Sequence, residues 1–210
     1  MPLLPWDDRQ RLGAGTAFVE TIRLLAKQPS DAFARLRPDG DYVGPFVFGL
    51  IISWAMFLVN QVWTLIFGSI MPFADMGVSA GMTLVQIVMY AIFWPVIYAF
   101  ILFLSAGIYH LVLLVLSGLQ RSQLGFEGTY KIVAYAQVST LANVIPLIGW
   151  IIGLVLQIVL LVVGFQSAHR TDQGRAIAAA LIPAALCCLC MFVAVFFFGA
   201  AIMAAMAGAQ

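Results

Sequence analysis

Along the chain, long uncharged apolar runs alternate with short polar ones, and the runs define the elements. Val43 to Ala74 carries no charge, and Pro45 to Ile70 exceeds the roughly 20 apolar residues that a bilayer-crossing helix needs. Met71-Pro72-Phe73-Ala74-Asp75-Met76-Gly77 then brings proline, glycine and an acid together, the composition of a loop. The next uncharged run, Met76 to Gln120, is too long for one straight crossing, because Thr83 to Leu116 alone would make a helix of about 50 Å. Pro95 removes a backbone bond and is the expected kink, so Thr83 to Trp94 reads as partly interfacial and Pro95 to Leu116 as the crossing. A polar loop from Gly118 to Glu127 follows and carries Arg121.

Ile132 to Gln166 is again uncharged, and Pro146-Leu147-Ile148-Gly149 near its middle splits it into two helices joined by a tight turn. His169-Arg170-Thr171-Asp172-Gln173-Gly174-Arg175 is the last polar break, with Thr171 or Asp172 the expected N-cap of a final helix in which Pro183 is a bend. The first forty residues differ. Phe18, Ile22 and Leu25 fall on one face of a helix whose other positions hold Glu20, Arg23 and Lys27. Pro29 breaks that helix, Ser30 can cap a second short one anchored by Phe33 and Leu36 beside Arg35 and Arg37, and Pro38-Asp39-Gly40 ends it. This amphipathic segment can lie on cytoplasmic headgroups, with Lys27, Arg35 and Arg37 near anionic lipid, or can pack against the loops of its own bundle.

The expected fold is therefore all-α. A cytoplasmic, interfacial segment (1–42) precedes a membrane domain (43–210) with five transmembrane helices at about 45–70, 83–117, 130–146, 149–168 and 176–204. Composition agrees: 63% of the 210 residues are hydrophobic and 9% charged, with a mean hydropathy of +1.04, which excludes an ordinary soluble domain. The net charge of +1 offers no stripe for nucleic acid. Acids at Asp7 and Asp8 stand where a signal peptide needs bases, so no cleaved leader is expected. With five spans, the N-terminal bases, Arg121, Lys131, Arg170 and Arg175 all fall on one side. The positive-inside rule then puts the N-terminus in the cytoplasm and the C-terminus outside, in the inner membrane if the source is bacterial.

Candidate chemistry is sparse. His110, beside Tyr109, is the one acidic or basic side chain expected away from the span ends, either packed against a neighbouring helix or a member of a proton path. Asn60, Gln61, Gln86, Gln137, Asn143, Gln157 and Gln166 can join helices by hydrogen bonds or line a polar route. Tyr135, Gln137, Asn143 and Pro146 on one arm of the central hairpin, with Gly149, Gly153 and Gln157 on the other, are the expected packing contacts. Gly149 and Gly153 form a GxxxG pair that lets backbones approach. Cys187, Cys188 and Cys190 read as small apolar packers, neither a disulfide framework nor a metal site. No hydrolase, zinc-protease or nucleotide-loop motif occurs, and no catalytic residue, metal or cofactor is expected. The expected partners are the bilayer and other membrane proteins or a second copy, with no small-molecule substrate.

Gly128-Thr129-Tyr130-Lys131-Ile132-Val133-Ala134-Tyr135-Ala136, Ile145-Pro146-Leu147-Ile148-Gly149 and His169-Arg170-Thr171-Asp172-Gln173-Gly174-Arg175-Ala176, in that order and spacing, resemble the Yip1 domain family. Pro29-Ser30-Asp31-Ala32-Phe33-Ala34-Arg35-Leu36 and Gly44-Pro45 resemble the segment before the first span of bacterial members, so the likeness covers nearly the whole chain. Val138-Ser139 departs from it, where many relatives have a proline. The resemblance implies five spans, a cytosolic N-terminus and a role around membrane trafficking, where eukaryotic members engage Rab GTPases and one another. Two functions compete on the sequence. One is a non-enzymatic membrane organiser or adaptor, whose hairpin arm Ile132 to Ile145 reaches only about 21 Å and can wedge into the outer leaflet. The other is a channel or transporter component passing a small solute along Asn143, Gln137, Gln157 and His110.

Overall fold

The computed structural model describes residues 3–70 and 80–207, and the loop expected at 71–77 lies outside them. Among the described residues the secondary structure is entirely helical. Three short helices come first: α1 (Arg9–Leu12), α2 (Ala14–Lys27) and α3 (Pro29–Ala34). They are followed by α4 (Val43–Ile70), α5 (Ala80–Val115), α6 (Gly125–Ala136), a 3₁₀ segment (Gln137–Val144), α7 (Gly149–His169) and α8 (Gln173–Ala207).

Four of these helices are long and apolar enough to cross a membrane: Val43–Thr64, Ile87–Val115, Gly149–His169 and Gln173–Phe198. The expected third span is not among them. It is two short pieces, α6 and the 3₁₀ segment, because Glu127 and Lys131 interrupt the apolar run and the helical winding tightens after Ala136. Two close contacts accompany that tightening. Thr140 turns its hydroxyl back onto the Gln137 carbonyl at 2.7 Å, and α7 presents glycines to the segment's carbonyls.

One other expectation is corrected beside a proline. Pro29 starts α3 instead of merely ending α2, since the first helical position has no use for the N–H that proline lacks. Ser30 then sits inside α3, not at its cap, and its hydroxyl lies 3.0 Å from that of Ser167 on α7. Pro95 lies inside α5, which runs unbroken from Ala80 to Val115. The carbonyl that Pro95 leaves without a helical donor belongs to Ala91, and the Trp54 indole N–H of α4 donates to it at 3.3 Å. Phe57 stacks on Trp94, the residue before Pro95, so α4 braces α5 at the turn leading into the defect.

The centre of the molecule is α6. Every residue from Gly128 to Ala136 is buried, surrounded by α4, α5 and α7 and met by the segments before α1 and after α3. Gly164 of α7 lets Ile132 approach so closely that a Cβ there would lie 2.5 Å from its side chain. At the other extreme, no residue in the apolar window of α8 is buried, and only 11% of that of α5 is. Cys187, Cys188 and Cys190 are exposed on α8, not packed inside the chain as the sequence suggested.

Candidate functional site

The sequence of α6 explains its position. Glu127 and Lys131 are one helical turn apart, the spacing at which opposite charges meet, and their side chains lie 2.7 Å apart. Lys131 is almost wholly buried, at 1% exposure, so its remaining donors must also be met. Asp39 pairs with it at 2.5 Å and the Arg37 carbonyl accepts from it at 2.7 Å. Glu127 in turn accepts the backbone N–H groups of Asp39 and Gly40 at 3.0 and 2.9 Å. The segment after α3 is thus tied to α6 by a closed set of charge-assisted bonds.

Two tyrosines of α6 extend the tie. Tyr130 donates to the Tyr42 carbonyl at 3.1 Å, and Tyr135 donates to the Asp7 carboxylate at 2.6 Å. Trp6 completes the attachment: its indole N–H donates to the Gly44 carbonyl at 2.7 Å and its backbone N–H to the Thr21 hydroxyl at 2.8 Å. Its ring joins Phe18, Phe48 and Tyr135 in one aromatic cluster. Burial raises the Asp7 carboxyl above its ordinary value, against the lowering effect of the Tyr135 hydrogen bond. Burial also pushes Asp39 upward, but the Lys131 and Asp41 hydrogen bonds outweigh it and hold that carboxyl below its ordinary value.

The chain's two histidines meet on the neighbouring face of α6. Thr129 lies 2.9 Å from His110 Nδ1 and 3.0 Å from His169 Nε2, and Ser122 lies 2.6 Å from His169 Nδ1. A hydroxyl that donates to one ring and accepts from the other satisfies all of these, so His110 is bonded across to α6. Thr171, expected as a cap, spends its hydroxyl on the Gly118 carbonyl at 2.7 Å and fixes the α7–α8 connection to the end of α5.

Four of the seven membrane amides, Asn60, Gln137, Asn143 and Gln157, gather around the 3₁₀ segment. Gln137 and Asn143 line a cavity of about 310 Å³ against Ser53, Asn60 and Tyr98, and line a second one of about 330 Å³ together with Ser139 and Gln157. Gln157 does meet the opposite arm, but through the Ser139 hydroxyl, which donates to it. His110 lines neither of these cavities and is bonded to Thr129. The GxxxG pair packs within the chain: a Cβ at Gly149 would lie 2.3 Å from the Ala142 carbonyl, and one at Gly153 would lie 3.2 Å from that of Ser139. Pro146 and Leu147, at 70% exposure, sit at the open turn beyond.

Of the residues expected at an interface, Leu25 and Phe33 are buried within the protein and Phe18 and Ile22 pack against its core. Lys27 and Arg35 border a hollow with Glu20 and Arg23. Sequence reasoning missed Asp7, Asp39, Glu127, Thr129, Ser139 and His169. For one pair a signal existed, the four-residue spacing of Glu127 and Lys131. For Asp7 and Asp39 none did, since their partners are 128 and 92 residues away.

The bases share one end of the bundle. Arg9 faces Asp41 at 3.8 Å, Arg175 donates to the Ser117 carbonyl at 3.0 Å, and Arg37, Arg121 and Arg170 surround a common cavity. The family model described as the Yip1 domain matches residues 22–195. No curated protein and no solved structure matches the chain.

Proposed function

The chain belongs to the Yip1 domain family, and from that membership we propose that it is a non-enzymatic adaptor that organises other membrane proteins. The observation that carries this reading is α8. Its apolar window has no buried residue, while Phe192, Phe196 and Phe198 stand 71%, 65% and 72% exposed. Large aromatic side chains dominate association surfaces where they meet a partner, and in lipid helices associate by packing and hydrogen bonding. A photo-crosslinking amino acid at Phe196, activated in native membranes, is expected to yield discrete protein adducts. Adducts with lipid alone would overturn the adaptor.

The topology proposed with it has five crossings, the N-terminus in the cytoplasm and the C-terminus on the far side of an inner membrane. The placement of the bases at one end supports this orientation. The extra rise of a 3₁₀ helix supports the fifth crossing, since it lengthens the apolar arm from Ile132 to Val144 to about 24 Å, more than an α-helix of the same residues would reach. In a background without native cysteines, Leu147→Cys is then expected to react with an impermeant external thiol reagent. Protection there would restore the wedge that stops within the leaflet.

A second reading, passage of a small polar solute, is favoured by the two cavities beside the 3₁₀ segment. Their amides and hydroxyls need no charge to hold such a solute. It requires purified protein in liposomes to admit a solute from a broad panel and Asn143→Leu to stop it. No flux for any solute would remove it.

A further inference from the structure

We propose that the cavities around Asn143 hold an uncharged, hydroxyl-rich ligand of the sugar or polyol class. Asn143 lines three of them, of about 130, 310 and 330 Å³. Among the described residues three buried side-chain polar atoms have no hydrogen-bond partner: Trp63 Nε1, the Tyr98 hydroxyl and Asn143 Oδ1. All three belong to residues in the walls of these cavities. The Tyr98 hydroxyl is pressed against Gly49, so the demand on a ligand comes from the other two. Trp63 and Asn143 share the cavity of about 130 Å³. Asn143 and Gly153 share the largest, and Gly153 has no side chain to cover the amide oxygen; a Cβ there would lie 3.4 Å from it. A buried donor and a buried acceptor left unmet each cost free energy, which a ligand bonded to both would recover.

The chemistry of the walls selects the ligand class. An indole N–H only donates and an amide oxygen only accepts. A ligand that meets both accepts at one point and donates at another, as hydroxyl groups do and as a carboxylate or an ammonium does not. No charged side chain lines any of the three cavities, so nothing in the walls offsets the charge of an ionic ligand. Phe57, Trp94 and Trp150 supply rings beside the amides of Asn60, Gln137 and Gln157. A sugar turns C–H faces to such rings and hydroxyls to such amides, the mixture of apolar wall and few polar groups that small-molecule sites use. The two larger cavities also far exceed the roughly 30 Å³ of a single water. The inference rests on the second reading above for its site, but it requires occupancy and not passage. The cavities lie beside the Pro146-Leu147 turn, at the opposite end of α7 from Arg170. In the proposed topology a glycolipid headgroup of the far leaflet supplies the hydroxyls there, and a free sugar offers the same chemistry.

The test is native mass spectrometry of the delipidated full-length protein in a polyoxyethylene detergent, titrated with glucosyl diacylglycerol, diacylglycerol and glucose. The wild type is expected to prefer glucosyl diacylglycerol over diacylglycerol. Asn143→Leu and Trp63→Phe are each expected to weaken that binding roughly fivefold, the effect of one neutral hydrogen bond. Asn143→Leu should do so without lowering the melting temperature of the unliganded protein, because the oxygen it removes has no partner there. Gln166→Leu removes an amide that lines none of the three cavities and is expected to leave binding unchanged. Glucose that binds and displaces the lipid supports the same site with free sugar as a source; a preference that glucose does not move supports the headgroup. The proposal is overturned if the two lipids bind alike and glucose does not bind, the result that cavities filled by water alone would give. It is equally overturned if the cavity variants lose no more than Gln166→Leu. Binding without flux in liposomes removes passage and leaves the site, whereas flux without such binding keeps passage and removes this ligand. Should Asn143→Leu prove unstable by thermal shift, Trp63→Phe decides alone.

Discussion

α6 and α8 invert the usual relation between apolarity and burial. α6 is twelve residues long, contains Glu127 and Lys131, and is buried from Gly128 to Ala136. α8 is thirty-five residues long and overwhelmingly apolar, yet from Leu181 to Phe198 none of its residues is buried. In water the second would be the core. In lipid an apolar surface has nothing to escape, whereas a lysine, two tyrosine hydroxyls and a threonine must find partners inside the protein. Burial here follows polar tethering, and the N-terminal segment supplies the tethers.

The comparison breaks most severely at Lys131. Lys131→Met leaves Glu127 and Asp39 without their cation and is expected to destabilise by about 3 kcal/mol, the low end for a broken buried pair because both carboxylates are partly solvated. Thermal unfolding in nanodiscs measures it, and adding Glu127→Gln should recover part of the loss. Next is Gly149→Val, which drives a side chain into the Ala142 carbonyl and is expected to cost about 1–3 kcal/mol, with the hairpin loosened in hydrogen exchange. Trp54→Phe leaves the Ala91 carbonyl unmet and should cost about 1 kcal/mol, a loss visible as faster exchange in the turns around Pro95. At the small end, replacing Cys187, Cys188 and Cys190 by alanine should change stability by less than about 0.5 kcal/mol, because they touch nothing that holds the chain together.

Acidity sharpens the same contrast, because the two tethering carboxyls are shifted in opposite directions. The contribution of Asp39, whose value is lowered, is present above the ordinary carboxyl range near pH 4 and fades as pH falls through its folded value. Asp7 is raised, so its contribution is complete below that range and is lost as pH rises through its folded value. Asp7→Asn, which keeps an acceptor for Tyr135, should therefore melt higher than the wild type at neutral pH, and the gap should close as pH approaches 4. A gap constant with pH would detach Asp7 from the tether.

The sequence made the long helices legible because their signal is local. Val43–Thr64 and Gly149–His169 are uncharged runs bounded by polar breaks, and hydropathy alone finds them. The motif around Lys131 was visible as a pattern, but its meaning was not: the groups that satisfy Tyr135 and Lys131 lie at Asp7 and Asp39, distant pairings that no periodicity encodes. What happens at Pro95 is also beyond local pattern. Its missing bond is compensated from another helix, by Trp54, and the helix continues through it. The 3₁₀ winding after Ala136 was likewise hidden, since it accompanies close packing against Gly149 and Gly153.

The most direct measurement uses the contact between α3 and α7. In a chain freed of its native cysteines, Ser30→Cys/Ser167→Cys replaces two hydroxyls that lie 3.0 Å apart, and mild oxidation is applied in intact membranes. If the N-terminal segment is built into the bundle, a disulfide forms in nearly every molecule, and its yield falls when Lys131→Met is added. A segment lying on headgroups away from α7 would leave both thiols free, and that outcome would contradict the tethered core on which the comparison of α6 with α8 rests.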